Sequence, residues 1–232
     1  MLVEMHSHVI YGVDDGPQTP EEMRHMLEAA ARTGVTHLFC TSHAQAGFPR
    51  ALYEERLAEA RAFVREKGLA LALYSGNEIL CGPDTLALLR AGAVLPLGDS
   101  RTVLAEFMPG ASAANVAGAV RALREEGWQP IIAHAERCPA LCRGSTLRSL
   151  REETGVRVQV NAASIYEEET GFFFKRRVRK LLREGLVDHV SSDAHDLLHR
   201  PFCLPYAHHW LSGHLSPAQA DALCGGNMAA EI

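Results

Sequence analysis

No apolar run in this chain approaches the roughly 18–20 residues that span a bilayer. The opening segment, Met1 to His8, lacks the basic and apolar stretches of a secretory leader. The six cysteines (Cys40, Cys81, Cys138, Cys142, Cys203 and Cys224) contain no C-x-x-C pair, so they read as free thiols rather than a disulfide framework. Positive charge is not in surplus either: 23 Lys and Arg against 28 Asp and Glu leave −5, which argues against a duplex nucleic-acid binder. There is no low-complexity segment and no Pro/Ser-rich linker to mark a domain boundary. These absences describe a cytoplasmic protein without a transmembrane segment and with no expected nucleic-acid partner. Its 232 residues, 47% hydrophobic and 22% charged, suffice for one large domain with a real core. What the chain has in excess is histidine, twelve in all.

Short β-type runs alternate with helix-like stretches along the whole chain. The expected strands are Leu2–His6, His37–Thr41, Leu69–Ser75, Val103–Phe107, Pro130–His134, Val156–Asn161 and Leu186–Ser191. Helices are expected over 20–33, 51–67, 82–91, 112–126, 145–154, 169–184 and 216–224. Thr19-Pro20 and Ser216-Pro217 supply N-caps followed by proline at the first helical position. Gly34, Gly68, Gly92, Gly127, Gly155 and Gly185 stand where helices end and a left-handed residue is wanted. Strand alternating with helix implies a parallel sheet, and seven such units suggest a closed or nearly closed β/α barrel.

In such a barrel the chemistry sits where the strands end. Here the ends carry His6-Ser7-His8, Thr41-Ser42-His43, Gly76-Asn77-Glu78, Glu106, His134 and Ser192-Asp193-Ala194-His195, and an acidic loop, Asp14-Asp15-Gly16, follows the first strand. A single H-x-H is common by chance in a histidine-rich chain. Five histidines and at least four carboxylates on one rim are another matter. Imidazole plus carboxylate without cysteine suits Zn, Mn or Fe. His6 and His8, two apart on a strand, face the same side. Nine candidate ligands exceed what one open site takes from protein, so two or three ions are implied. Closely spaced ions activate water and clamp the oxygens of a transferring phosphoryl group. Four carboxylates against three divalent ions leave about +2 to hold an anionic substrate.

The strings Met5-His6-Ser7-His8, Val13-Asp14-Asp15-Gly16-Pro17, Thr41-Ser42-His43, Gly76-Asn77-Glu78, Leu104-Ala105-Glu106-Phe107, Ala133-His134-Ala135-Glu136-Arg137 and Ser191-Ser192-Asp193-Ala194-His195 resemble, in order, the PHP (polymerase and histidinol phosphatase) superfamily. DDGP with HxER narrows the resemblance to the manganese-dependent protein-tyrosine phosphatases of bacterial capsular and exopolysaccharide systems. That resemblance implies a distorted (β/α)7 barrel, a single PHP-type domain over 1–232, with a trinuclear site. One ion would take His6, His8, Glu78 and Asp193; a second would share Glu78 and take Glu106 and His134; a third would take Asp15, His43 and His195. Asp14 is then not a ligand. Arg137 and Arg200 match phosphate-binding positions, and His43 and His195 are the candidates to protonate the leaving tyrosinate. Ala44 and Gln45 depart from the more polar or basic residues common after His43. The implied cofactors are two to three divalent ions, Mn first and Fe or Zn after it. The implied reaction is hydrolysis of phosphotyrosine on a protein by a metal-bridging hydroxide. The implied partner is the tail of a bacterial polysaccharide-synthesis tyrosine kinase, and the reading is compatible with an oligomer. The alternatives are a small-metabolite phosphatase acting on histidinol phosphate and a PHP-type phosphodiesterase or nuclease.

Three further patterns invite functional readings. Cys142 to Arg148 satisfies the C-x5-R pattern of cysteine-dependent tyrosine phosphatases, but the preceding His is missing and the Gly spacing is wrong, so Cys142 is read as a bystander. The basic run Lys175 to Lys180 reads as a solvated helix face rather than an anion-binding patch. Phe172-Phe173-Phe174 reads as core and loop packing rather than an aromatic patch for a peptide.

Overall fold

The computed structural model describes residues 1–166 and 172–228. Its strands, all parallel, are β1 (Leu2–Glu4), β2 (Val35–Cys40), β3 (His43–Ala44), β4 (Ala72–Ser75), β5 (Glu78–Leu80), β6 (Thr102–Glu106), β7 (Gln129–Ile132), β8 (Arg157–Asn161) and β9 (His189–Ser191). They pair as β1-β2-β4 and as β3-β5-β6-β7-β8-β9. β2 and β3 are one barrel position interrupted at Thr41–Ser42; β4 and β5 are another, interrupted at Gly76–Asn77. The nine segments therefore occupy the seven expected positions. Ser7 bridges Ala194, and the Asp193 amide donates to the His6 carbonyl at 3.0 Å, which joins the β9 end to the β1 end. The result is an irregular seven-position barrel.

The interruptions have a local cause. Asn77 Nδ2 donates to the Ser42 carbonyl (3.0 Å), its Oδ1 accepts from the Leu95 amide (2.8 Å), and the Glu78 amide is shared between the Thr41 and Ser42 carbonyls. Side-chain bonds of this kind take backbone groups out of the ladder. Both kinks lie immediately before a residue of interest, His43 and Glu78. β1 and β7 also stop short of the expected His6 and His134, ending at Glu4 and Ile132.

Nine helices are described: α1 (Pro20–Arg32), α2 (Arg50–Lys67), α3 (Thr85–Arg90), α4 (Ala113–Glu125), α5 (Thr146–Thr154), α6 (Ala163–Tyr166), α7 (Phe172–Arg183), α8 (Leu204–His214) and α9 (Pro217–Leu223). α1 starts with a capping box between Thr19 and Glu22 and buries Met23, Met26, Leu27 and Ala30 along one stripe. All six helix-ending glycines named above have positive φ. The expected helix 169–184 begins at Phe172 among the described residues; positions 169–171 lie outside them. α8 was not expected, because His208, His209 and Gly213 break its apolar pattern. It is held by Leu204, Ala207 and Leu211. No helix among the described residues is long and apolar enough to cross a membrane.

Strand alternation divides the core. Leu38, Val103 and Ile132 pack outward on helices, whereas Val3, Phe39, Leu104 and Ile131 pack on one another inside the curled sheet. Burying each of these larger side chains is worth roughly 1.5–3 kcal/mol. Leu104 and Glu106 share a face, so the packed interior ends where Glu106 begins the polar rim.

Candidate metal centre

All nine candidate ligands meet at the rim. His6 Nε2 and His8 Nε2 are 3.2 Å apart. Glu78 Oε2 lies 3.2 and 3.3 Å from them, and Asp193 Oδ1 lies 3.3 and 3.5 Å from them. For a tetrahedron, edges of this length place each atom roughly 2.0–2.1 Å from the centre, the range of metal–nitrogen and metal–oxygen bonds. Two of these oxygens, Glu78 Oε2 and Asp193 Oδ1, are buried and accept no hydrogen bond, as is true of His195 Nε2. Buried lone pairs are normally satisfied, and these point at one another's neighbours instead. The donor set fits divalent metal.

Two further groups adjoin the first. His8, His43 and His195 close on Asp15, whose Oδ1 is 3.5 Å from His43 Nε2 and 3.2 Å from His195 Nε2. His43 Nδ1 is 3.0 Å from Glu78 Oε2 and 3.6 Å from Glu106 Oε2. His134 Nε2 is 2.6 Å from Glu78 Oε1 but 3.8 Å from Glu106 Oε1. Among the described residues His43 forms a compact group with Glu78 and Glu106, His134 adjoins the same two carboxylates, and His8 belongs to two groups. The kink before His43 sets its ring between Asp15 and Glu78, one nitrogen toward each.

Strain marks the same place. His134 (φ 28°) and Asp193 (φ 55°) are the non-glycine residues with positive φ among those described. The His134 amide is held by Gln159 Oε1 at 2.6 Å. On the other side, Glu4 fixes the segment before Asp193, accepting from the Ser191 hydroxyl (2.6 Å), the Ser192 amide (2.8 Å) and the Ser192 hydroxyl. The glycine of DDGP answers a close approach: a Cβ on Gly16 would come within 2.5 Å of the His8 carbonyl.

Asp14 supports the site from behind. His8 Nδ1 donates to Asp14 Oδ2 at 2.7 Å, the His43 amide donates to the same oxygen at 2.9 Å, and the Gly16 amide takes Oδ1. Burial opposes charge on both partners, yet this bond and Glu78 raise His8 to about 10, and His8 lowers Asp14 to about 2. Burial likewise opposes the charged forms of His43 and His134, and Glu78 overrides it to raise both. His195 falls to about 3 through burial and the charge on His8. Burial and the Glu78 carboxylate raise Glu106. His8 thus holds a proton that a metal must displace.

Arg137 Nη2 and Arg200 Nη2 converge on Asp193 Oδ2, at 3.2 and 2.8 Å, with about a third of each side chain exposed at the mouth. Sequence reasoning missed the amides beneath them. Gln159 Oε1 lies 3.3 Å from His6 Nδ1, Gln159 Nε2 donates to Asn161 Oδ1 (2.9 Å), and Asn161 Nδ2 donates to Asp193 Oδ2 (2.8 Å). The available signal was two carboxamides, two apart, alternating with Val158 and Val160 on one strand. Glu136 of the HxER string turns away and accepts from the Asn161 amide.

Cys142 is 8% exposed, its thiol faces the Ala135 carbonyl, and burial pushes it up to about 11. Arg148 reaches Glu184 instead of cradling an anion beside it. The Phe172-Phe173-Phe174 expectation needs correction. The buried stripe of α7 runs through Val178 and Leu181, which extends back to Phe174 and leaves Phe172 and Phe173 largely exposed.

The family described as capsular polysaccharide synthesis, CpsB/CapC, matches residues 2–232. The chain belongs to the CpsB/CapC family. It is 32% identical to tyrosine-protein phosphatase CpsB of Streptococcus pneumoniae over 209 residues, 86% of this chain and 85% of that one. It is 26% identical to tyrosine-protein phosphatase YwqE of Bacillus subtilis over 208 residues, 87% of this chain and 80% of that one. A crystal structure from work on YwqE and S. pneumoniae CpsB, described there as metal-dependent tyrosine phosphatases, superposes with a TM-score of 0.84 at 24% identity, covering 93% and 88% of the two chains. An amidohydrolase from Mycoplasma synoviae shares the fold more distantly, with a TM-score of 0.66 at 12% identity over 98% and 86%. The CpsB/CapC chain described here is therefore a distorted barrel of the same architecture.

Proposed function

We propose that this CpsB/CapC protein is a metal-dependent phosphatase that hydrolyses phosphotyrosine on proteins. The observation that carries the reading is the convergence of nine imidazoles and carboxylates through contacts of 2.6–3.8 Å, with two arginines at the mouth. The relatives' names supply the substrate class. His6, His8, Glu78 and Asp193 would hold one ion, with Asp15, His43, Glu106, His134 and His195 completing a cluster of two to three, manganese first. Divalent ions held there supply Lewis acidity toward phosphoryl oxygens and lower the pKa of water.

The chain's own groups do the rest. Asp193 Oδ2 takes Nη2 of both guanidiniums, and Arg200 Nη1 also lies 3.8 Å from Asp15 Oδ2; the other N–H groups of these two partly exposed forks are the donors that would take a phosphate dianion. Such preorganised charge favours the transition state, in which negative charge spreads over the equatorial oxygens. Tyrosinate leaves with little help because phenol has a pKa near 10. Where a proton is given, His43 is the better placed of the two candidates: its side chain is 38% exposed, against 3% for His195. The unpaired cysteines suit the cytoplasm, where the tyrosine-phosphorylated tail of a polysaccharide-synthesis kinase would be the substrate. The test is a rate panel with Mn²⁺ on a phosphotyrosine peptide, histidinol phosphate and single-stranded DNA. The phosphotyrosine peptide should be turned over fastest, and a chelator should abolish its turnover. Faster hydrolysis of histidinol phosphate or of DNA would replace the reading.

A further inference from the structure

A groove of about 630 Å³, larger than the hollows of about 530 and 370 Å³ flanking the metal centre, runs between α7 and α8 on the barrel's outer wall. Lys175, Arg176, Arg179 and Arg183 line its α7 side; Trp210 and His214 line the α8 side. We propose that this groove docks an acidic segment of the phosphoprotein substrate, a role that rests on the phosphotyrosine reading above.

Among the described residues the fold explains only part of this charge. Three cations of α7 donate to backbone carbonyls: Arg177 to that of Glu136 (3.0 Å), Lys180 to those of Cys142 (2.8 Å) and Gly144 (3.1 Å), and the groove's own Arg183 to that of Arg179 (3.1 Å). The four groove cations have no carboxylate within 4 Å among the described residues. On the helix, Lys175 and Arg179, Arg176 and Lys180, and Arg179 and Arg183 are each four apart, and like charges at that spacing destabilise a helix. In a chain of net charge −5 this is a local concentration of cations carried at a cost, which an anionic partner offsets. Arg179 lies over the Trp210 ring at 5.7 Å, and Trp210 stacks on His214 at 3.6 Å, so the wall is preorganised.

The groove also opens in the right place. A helix following a barrel strand starts at the catalytic face; α6 follows β8 there, and α7 packs against α6 and against the Ala135–Arg137 turn. The bond from Arg177 to Glu136 places α7 one residue from Arg137 in the chain. The exposed Phe172 and Phe173 stand at that end. α7 is about 18 Å long at 1.5 Å per residue. An extended peptide at about 3.3 Å per residue covers that length with five or six residues. A segment leaving the active site can therefore lie along α7 while its phosphotyrosine stays between Arg137 and Arg200. Concavity favours a peptide over a bilayer, against which a convex apolar face would be expected.

The test compares the wild type with a triple variant, Arg176→Glu/Arg179→Glu/Arg183→Glu, and with its milder Gln counterpart. The substrates are a phosphotyrosine peptide carrying six glutamates, the same peptide with glutamines, and para-nitrophenyl phosphate. The wild type should show kcat/KM about tenfold higher on the Glu peptide than on the Gln peptide, mostly through KM. The triple variant should lose that preference while keeping its para-nitrophenyl phosphate rate within about twofold, and the Gln variant should lose part of it. By anisotropy, a fluorescent six-glutamate peptide without tyrosine or phosphate should bind the wild type, bind the Gln variant more weakly and not bind the Glu variant. Binding of that peptide without hydrolysis of any phosphotyrosine substrate would leave the groove standing and sink the phosphotyrosine reading. Equal treatment of Glu and Gln peptides with no binding of the acidic peptide would overturn the proposal. So would variants that lose only binding to phosphatidylserine vesicles.

Discussion

Asp14→Asn changes one charge and almost no volume directly behind the centre. Asp14 Oδ2 serves both His8 Nδ1 and the His43 amide, while Oδ1 serves Gly16. An asparagine has one acceptor oxygen for these three donors, so its NH₂ must face at least one of them. Losing the carboxylate behind a ligating histidine typically costs 10–100-fold in metal affinity, about 1.4–2.7 kcal/mol. A second effect has the opposite sign. The same carboxylate helps raise His8 to about 10, so in the wild type a proton competes with the metal up to that pH. In Asp14→Asn the His8 pKa falls toward its ordinary value, and that competition ends earlier. The two effects separate in a pH series of Mn²⁺ affinity, measured by competition with a chromophoric chelator. Between pH 7 and 9 the variant's log affinity should rise less steeply than the wild type's, by about one decade per pH unit. At pH 9 a proton penalty of about tenfold still acts on the wild type, so its 10–100-fold intrinsic advantage should show as roughly 1–10-fold tighter binding there. Parallel slopes between pH 7 and 9 would refute the role given to Asp14.

Arg137→Ala should lower kcat/KM on a phosphotyrosine peptide by about 10²-fold, roughly 3 kcal/mol, while the metal content is unchanged; elemental analysis and steady-state kinetics on the same sample check both halves. Cys142→Ser should keep at least half of the wild-type rate, whereas His134→Ala should lose about 10³-fold; a phosphocysteine trapped on Cys142 would reverse that ranking. The metal-free protein should lose thermal stability at both ends of the pH range. The raised His8 pKa contributes stability fully below about 6.5 that is lost as pH rises through about 10, and the lowered Asp14 pKa contributes stability above 3.8 that is lost as pH falls through about 2. A melting temperature that rises steadily from pH 7 to 10 would contradict this.

The strand-to-helix rhythm and the residues at strand ends were legible because each rests on local chemistry: β-branched runs, caps, left-handed glycines and polar strand termini. What escaped is what depends on distant partners. The breaks at Thr41–Ser42 and Gly76–Asn77 arise from Asn77 bonding to Ser42 and Leu95, contacts that no local pattern announces. The sharing of His43 between Asp15 and Glu78 follows from those breaks. Gln159 and Asn161 looked like ordinary strand residues until β8 placed them under His6, His134 and Asp193. α8 escaped because its histidines and glycine obscure a narrow buried stripe, and the exposure of Phe172 and Phe173 is fixed by where that of α7 runs.

The central claim is that one shared cluster of imidazoles and carboxylates holds several ions at once. Anomalous scattering from crystals saturated with Mn²⁺ tests it most directly. Two to three peaks are expected within the space bounded by His6, His8, Asp15, His43, Glu78, Glu106, His134, Asp193 and His195. One peak, or peaks elsewhere with that space empty, would contradict the account.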